Sequence, residues 1–596
     1  MVVEQRTEVV ARTEYPRPRL VRETWQSLNG AWGFAFDPEE VGIESGFIKE
    51  ERLDRTIQVP FAYQTRLSGI DDQRIVEVVW YAKNFVVPPD WSGKTILLHF
   101  GAVDHEVAVW LNGVEVGKHV GGYTPFSFDI THLMAVHDNR LTLRVVDRQN
   151  PAQPRGKQSS TGKPHGIDYW CTTGIWQSVW LEPVSQSYLA DLVVTSEPET
   201  KTLNILPTIY GSRADVEIEI EILDGEVAIA SKTVTDTLLT QPIGFTIHNP
   251  KLWSPDSPHL YNLRVRLTLQ GSVIDEVHSY AGIRSVDVGQ GKIWLNGSPI
   301  YLKMVLDQGY WPESGLTAPS DEALEADVLL VKQLGFNAVR KHQKVEDPRW
   351  LYWCDRHGLL VWGEMANARA WSFETQTRLE TEWISVVERD RSHPCIIVWV
   401  PVNESMGYPE LKSGDARQRN GIERLAHLTR RLDPTRPIVD NDGWEQTGSS
   451  DIVAIHDYSH SGADLAARYS DHLAGADFPT HIWSGSRITL LPGVQLGGRP
   501  ILLTEVGGLL SLPSDSKNLD KLYQVYNSVR DSQDLLTKYR ALMFGIGSLP
   551  FLSGFCYTQF TDVEQEINGL LLYDRTPKVA VDQIAEVHRT MLNPNN

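Results

Sequence analysis

Short apolar runs with two-residue alternation fill the first half of the chain, and a slower rhythm of alternating helical and strand patterns replaces them after about residue 284. Thr95-Ile96-Leu97-Leu98-His99-Phe100 and Val107-Ala108-Val109-Trp110-Leu111 read as strands. Asn112-Gly113, directly after the second, supplies the positive φ angles of a two-residue hairpin turn. Further along, Val216, Ile218, Ile220 and Ile222 alternate with Glu217, Glu219 and Glu221, which predicts a strand with one aliphatic face and one face of carboxylates in water. Asp224-Gly225 turns it back into Val227-Ala228-Ile229. Residues 1–185 and 186–283 are therefore expected to be two β-sandwiches, the second immunoglobulin-like.

After Gly282-Ile283-Arg284 and a hairpin at Asn296-Gly297, the period changes. Ser320 is placed to cap a helix carrying Leu324, Val328 and Val331, Gly335 ends it, and Phe336-Asn337-Ala338-Val339-Arg340 forms the next strand. Asp347-Pro348 opens a second helix, Gly358 stops it, and Leu359-Leu360-Val361-Trp362 follows as a strand. Further buried strands are expected at Cys395–Val400, Ile438-Val439, Ile452–Ile455, Ile501–Leu503 and Leu552–Phe555. This β-then-α alternation over residues 284–596 predicts a (β/α)8 TIM barrel.

Three domains suit a chain of 596 residues, and 41% hydrophobic with 22% charged residues is the composition of a fully folded protein. The net charge of -20, with no basic patch, argues against nucleic acid or an anionic membrane surface as partner. Cys171, Cys354, Cys395 and Cys556 are far apart with no C-x-x-C pair, so they are expected to be free buried thiols. The N-terminus lacks an apolar core of signal-peptide length, and no uncharged apolar run is long enough to span a bilayer, which predicts a cytoplasmic protein.

In a barrel, reactive side chains follow the C-terminal ends of the strands. Here those ends read Arg340-Lys341-His342-Gln343, Gly363-Glu364, Asn403-Glu404-Ser405, His456-Asp457-Tyr458, Thr504-Glu505 and Thr558-Gln559. Glu404 and Glu505 are each delivered to the mouth by an apolar strand, and a pair of carboxyl groups there is what glycoside hydrolysis needs: one protonates the leaving oxygen and one attacks the anomeric carbon. Spacing alone leaves alternatives open. Either glutamate could instead be paired with an arginine such as Arg340 or Arg389, and Glu364 is a third strand-end carboxylate.

The stretch Arg389-Asp390-Arg391-Ser392-His393-Pro394 through Trp399 and on to Asn403-Glu404 resembles the acid/base signature of glycoside hydrolase family 2, the family of β-galactosidases, β-glucuronidases and β-mannosidases. Gly335–Arg340, Trp350–Asp355 with His357-Gly358-Leu359, Thr504-Glu505, Leu28–Trp32 and Gly174–Pro183 are similar to that family in the same order, so the resemblance covers essentially the whole chain. It implies a jelly-roll sugar-binding-like domain, an immunoglobulin-like sandwich and a barrel. It implies a retaining mechanism with Glu404 as acid/base and Glu505 as nucleophile, Asn403 on the sugar 2-hydroxyl, Arg340 orienting the nucleophile, and His456 and Tyr458 beside it. Asp307, His342, Gln343, Glu364, Asp442 and Trp444 are the further candidates for sugar contacts, while for Trp311, Trp362 and Trp444 barrel packing is an equal reading.

Departures from the family pattern bear on the substrate. Lys341-His342-Gln343-Lys344 replaces the usual Ser-His-Tyr-Pro, and the Asn-x-Lys motif with which glucuronidases hold a carboxylate is absent around Glu564–Gly569. Met365-Ala366-Asn367-Ala368-Arg369 lacks the magnesium ligands of large β-galactosidases, so neither a metal nor a cofactor is expected. The expected activity is β-galactosidase-like and exo-acting on a glycoside or oligosaccharide. A furanosidase acting on α-L-arabinofuranosides or β-D-galactofuranosides is the alternative within enzymes, and a non-catalytic carbohydrate-binding protein the alternative outside them. Family members often assemble through barrel and sandwich surfaces, so the resemblance also admits a homo-oligomer.

Overall fold

In the computed structural model the described residues are 12–49, 53–135, 137–212, 214–235, 241–475, 477–479, 481–482, 487–511 and 527–592. The first sandwich pairs a six-stranded with a four-stranded antiparallel sheet around Trp32, Phe34, Tyr81, Leu98, Phe100, Val109 and Leu143. Its hairpin between Glu106–Leu111 and Val114–Val120 turns through Asn112 at φ 52° and Gly113 at φ 83°.

In the second sandwich Val216, Ile218, Ile220 and Ile222 are buried, each side chain contributing about 1.5–3 kcal/mol by leaving water. The opposite face departs from the expectation of a plain solvated stripe. Arg264 and Arg266, on the neighbouring strand Tyr261–Leu269, reach Glu221 and Glu219 at 2.6 and 3.1 Å, because directly opposed antiparallel positions bring such side chains together.

The barrel has seven strands in one parallel sheet: β1 (Leu302–Asp307), β2 (Ala338–Lys341), β3 (Leu360–Glu364), β4 (Ile396–Val400), β5 (Val453–Asp457), β6 (Ile501–Gly507) and β7 (Leu552–Thr558). Their order is β4-β3-β2-β1-β7-β6-β5. The Ser320 hydroxyl accepts from Ala323 N to cap the helix Asp321–Gln333, and the next helix, Pro348–His357, ends at Gly358 with φ 72°.

The expected strand at Ile438-Val439 is instead a looser link. Its parallel pairing is limited to single bridges, Trp399 of β4 to Ile438 and, past the end of that strand, Asn403 to Asp442, and its other side meets Asp451 N and, at 3.4 Å, His456 N. Side chains replace the missing ladder, since the Asp451 carboxylate takes Ile438 N and Ser450 Oγ takes Asp440 N. This segment closes the ring between β4 and β5. No helix among the described residues is long and apolar enough to cross a membrane.

The sandwiches grip the barrel at both ends. At its base Arg284 donates to Pro394 O and Ile396 O, and Tyr280 donates to Asp355. Over the mouth lies a long loop of the first sandwich, residues 149–172, whose Gly156 N donates to Asn367 O at 3.0 Å. Gly156 has φ 61°, and a Cβ there would lie 2.1 Å from Gln343 O, so only glycine lets the backbones meet. Gly156→Ala should therefore destabilise the protein by about 1–3 kcal/mol. Denaturation followed by tryptophan fluorescence checks this, and an unshifted transition would contradict the tight docking.

Candidate active site

Alternation along β2 sends Arg340 into the barrel and Lys341 out of it. The Arg340 side chain is 0% exposed, and acceptors from three directions surround it. Nε donates to Glu364 Oε2 at 2.7 Å, Nη2 to Asn403 Oδ1 at 2.7 Å, and Nη1 to Thr504 O at 3.0 Å and Glu505 Oε1 at 3.1 Å. Burial alone would strip the proton, but Asp442, Glu364 and Glu505 hold the guanidinium firmly charged. One cation thus locates strand ends β3 and β6 and the turn after β4.

His456 points inward from β5. Its Nδ1 lies 2.7 Å from Glu404 Oε1 and 3.4 Å from Glu505 Oε2, and its Nε2 lies 3.1 Å from Asp442 Oδ1. Burial disfavours the imidazolium, yet the Glu505 charge and the hydrogen bonds to Asp442 and Glu404 outweigh it and raise the ring to about 9. Glu404 is pushed up by burial, but the His456 bond, with the charges of Lys157 and Arg340, brings it below the ordinary carboxylate value. Both shifts favour the proton on the ring, whose Nδ1 lies 2.7 Å from the carboxylate.

Glu505 receives the Tyr458 hydroxyl on Oε2 at 2.6 Å, opposite the Arg340 bond on Oε1. Oxygens of Glu404 and Glu505 lie within 4.8 Å of one another, and their side chains are 19% and 8% exposed. Glu404 and Ser405 hold left-handed backbone at φ 53° and 57°, a conformation non-glycine residues resist. Glu404 N to Asp442 O and Ser405 N to Asn441 Oδ1, both 2.9 Å, enforce it. Asn403 Nδ2 is buried with no hydrogen-bond partner among the described residues, which leaves a donor at the mouth.

Of the expected site residues, Arg340, His342, Gln343, Glu364, Asn403, Glu404, Asp442, Trp444, His456, Tyr458 and Glu505 converge here. Asp307 does not. Its register partner Lys341 faces outward, so Asp307 turns with it and pairs with the Lys341 ammonium and Gly309 N behind the sheet. Glu364 accepts Arg340, Gln343 N and Gln343 Nε2, and Asp442 accepts Thr504 Oγ1, Trp362 Nε1 and His456. Both carboxylates are occupied in holding the cluster. Burial, helped by Lys157 and Arg340, pushes His342 well down, so that ring is neutral. Trp444 packs its ring against His456, 5.5 Å between centroids, and leaves Nε1 unpartnered among the described residues.

Several participants carry no flag in the sequence. Asn367 accepts both Gln343 Nε2 and Asn403 N, and its place three residues past Glu364 was the only hint. Lys157 and Tyr169 belong to the first sandwich, and Tyr169 donates to Glu566 across the domain boundary. Periodicity within one domain does not report such contacts.

This barrel mouth, roofed by a sandwich loop and holding two glutamates around one arginine, can be set beside known proteins. The family descriptions "Glycosyl hydrolases family 2, sugar binding domain", "Glycosyl hydrolases family 2" and "Glycosyl hydrolases family 2, TIM barrel domain" match residues 25–184, 187–284 and 286–465. The chain belongs to glycosyl hydrolase family 2. A β-galactosidase of Thermoanaerobacter pseudethanolicus is 30% identical over 69% of this chain and 53% of its own length. A β-glucuronidase of Paenibacillus borealis is 28% identical over 71% of this chain and 74% of its own. The chain spans about half the length of the β-galactosidases it matches. Among solved structures, a β-glucuronidase from an uncultured Clostridium sp. superimposes with a TM-score of 0.78 at 22% identity, covering 96% of this chain and 99% of that one. The fold is thus shared end to end.

Two consequences are measurable. Arg340→Leu strands buried carboxylates and should cost about 3–5 kcal/mol of stability; a loss under about 0.5 kcal/mol, the range of surface substitutions, would contradict the network. The raised His456 pKa contributes stability that is complete below pH 6.5 and lost as pH rises through about 9. Denaturant unfolding across that window should show the decline in the wild type and a flatter profile in His456→Gln; parallel profiles would mean the ring is not held charged.

Proposed function

We propose that this chain is a retaining exo-glycosidase that releases terminal non-reducing sugars, with β-galactosidase-like specificity. The observation that carries the reading is the approach of Glu404 and Glu505 oxygens to within 4.8 Å. Retaining glycosidases hold their two carboxyl groups ~5–5.5 Å apart and inverting ones ~6.5–9.5 Å, the larger gap leaving room for water. Relatives named β-galactosidase and β-glucuronidase support the reaction class.

In this reading Glu505, oriented by Arg340 and Tyr458, attacks the anomeric carbon as the glycosidic C–O bond breaks. Glu404 delivers a proton to the departing oxygen, having taken it from His456 Nδ1 at 2.7 Å. The glycosyl ester on Glu505 is then opened by a water that Glu404 deprotonates, and the free sugar leaves with its anomeric configuration unchanged. Asn403 Nδ2 donates to the 2-hydroxyl. The Glu404 and Glu505 side chains are only 19% and 8% exposed, and such limited access of water strengthens each of these interactions.

A panel of aryl β-galactoside, β-glucuronide, β-mannoside, β-glucosaminide, α-L-arabinofuranoside and β-galactofuranoside tests the reading. Turnover of one sugar is expected, abolished in Glu505→Ala and reduced about 10²–10⁴-fold in Glu404→Ala. Added azide should rescue Glu404→Ala and yield a glycosyl azide of unchanged configuration. Full activity in a Glu404→Gln, Glu505→Gln double variant would refute the assignment, and silence across the panel would favour the carbohydrate-binding alternative.

A further inference from the structure

A single apolar side chain in water is ordinary, but Phe373 does not stand alone. It is 74% exposed, the highest value among the large apolar side chains of the described residues. Its ring lies 6.4 Å from that of half-buried Trp371, which in turn packs 5.2 Å from the ring of buried Tyr408. Three aromatic rings thus run in a row from the interior to the surface.

The inner end of the row belongs to the turn that carries Glu404. Met406 N donates to Asn403 O at 2.9 Å and Tyr408 N to Ser405 O at 2.8 Å. A bond from one residue to the third beyond it keeps the Cα atoms at the ends of a turn within about 7 Å, so Tyr408 stays close to Ser405 and Trp371 packs against it there. The loop bearing Trp371 leaves β3 after Glu364 and is pinned to the same turn, since Arg369 Nη1 lies 3.4 Å from Met406 Sδ, two residues past Glu404. Arg369 N and Ala370 N both donate to Pro151 O, at 2.9 and 3.1 Å, and the Arg369 guanidinium donates to Gly156 O and Asp168 of the 149–172 loop. Ser372 then caps the helix Phe373–Asp390 by accepting Thr375 N, and the Thr375 hydroxyl donates to Ala370 O at 2.8 Å. The backbone on both sides of Trp371 is therefore fixed, and the rings form a preset surface.

The chemistry at the mouth decides what would meet this surface. The leaving oxygen is the atom that the acid/base carboxyl protonates, so the aglycone departs on the side of Glu404, while the glycone is held between the two carboxyl groups. Met406, Arg369, Trp371 and Phe373 extend outward from that same turn. An aryl ring stacks on aromatic side chains, and the C–H face of a sugar ring offers the same flat apolar surface.

We infer that Trp371 and Phe373 form an aglycone site, a platform beyond Glu404 that selects leaving groups with a flat ring, aryl or sugar. This rests on the glycosidase reading above.

The test compares the wild type with Phe373→Ala, Phe373→Tyr and Trp371→Leu in the full chain, on the methyl glycoside, the 4-nitrophenyl glycoside and a glucose-terminated disaccharide of the preferred sugar. The readout is the ratio of kcat/KM on each ring-bearing substrate to kcat/KM on the methyl glycoside. In Phe373→Ala and Trp371→Leu that ratio should fall about 3–10-fold, as loss of an aromatic contact does, and Phe373→Tyr, which keeps the ring, should hold the wild-type value. A fall on the aryl substrate alone or on the disaccharide alone identifies the kind of ring the platform takes. Phe373 lies in water, so its variants keep the fold even if Trp371→Leu does not. A ratio that changes less than about threefold in Phe373→Ala for both ring-bearing substrates would overturn the inference. So would a Phe373→Ala variant altered only in its sedimentation, which would make the patch a contact between two copies of the chain. If the wild type hydrolyses no glycoside at all, the glycosidase reading itself has failed and the inference falls with it.

Discussion

A guanidinium sealed from water needs acceptors on every side, and in this protein that requirement organises the barrel mouth. Arg340 has acceptors on β3, on β6 and in the turn after β4, so strands distant in sequence are brought to one point by a single charge. Breaking such an arrangement strands charge in low dielectric, and the carboxylates are as dependent on Arg340 as it is on them. His456 adds a second cation between Glu404, Glu505 and Asp442. With both in place, positive charge lies between the two closely spaced glutamates.

The domains around the barrel serve that geometry. Contacts at Arg284 and Asp355 fix the base of β4, the strand leading to Asn403 and Glu404. At the other end the 149–172 loop lies against Asn367, Gln343 and Glu566, residues in or next to the mouth. The first sandwich is thus part of the site wall. Two domains therefore meet at the mouth, and its geometry depends on their docking.

The order of domains was readable from period alone, because strands alternate every two residues and barrel helices carry caps at Ser320 and Asp347 and a glycine stop at Gly358. The mouth residues Arg340, Asn403, Glu404, His456 and Glu505 were readable because they follow apolar strands. Asp307 was misplaced because strand-end position does not tell which face a side chain takes, and Lys341 drew it behind the sheet. The link at Ile438-Val439 lacked a ladder because side chains of Ser450 and Asp451 satisfy its backbone. Tyr169 and Glu566 stayed hidden for a different reason: their meeting depends on how two domains dock, and no local pattern encodes that.

Glu505 is proposed above as the carboxylate that bonds to the sugar. Incubation with a 2-deoxy-2-fluoro glycosyl fluoride of the preferred sugar, followed by mass spectrometry of the intact protein and its peptides, tests it directly. One glycosyl adduct on the peptide carrying Glu505 is the predicted result. An adduct on Glu404 or Glu364 would contradict the account, as would turnover of the fluoride to a product of inverted configuration with no adduct at all.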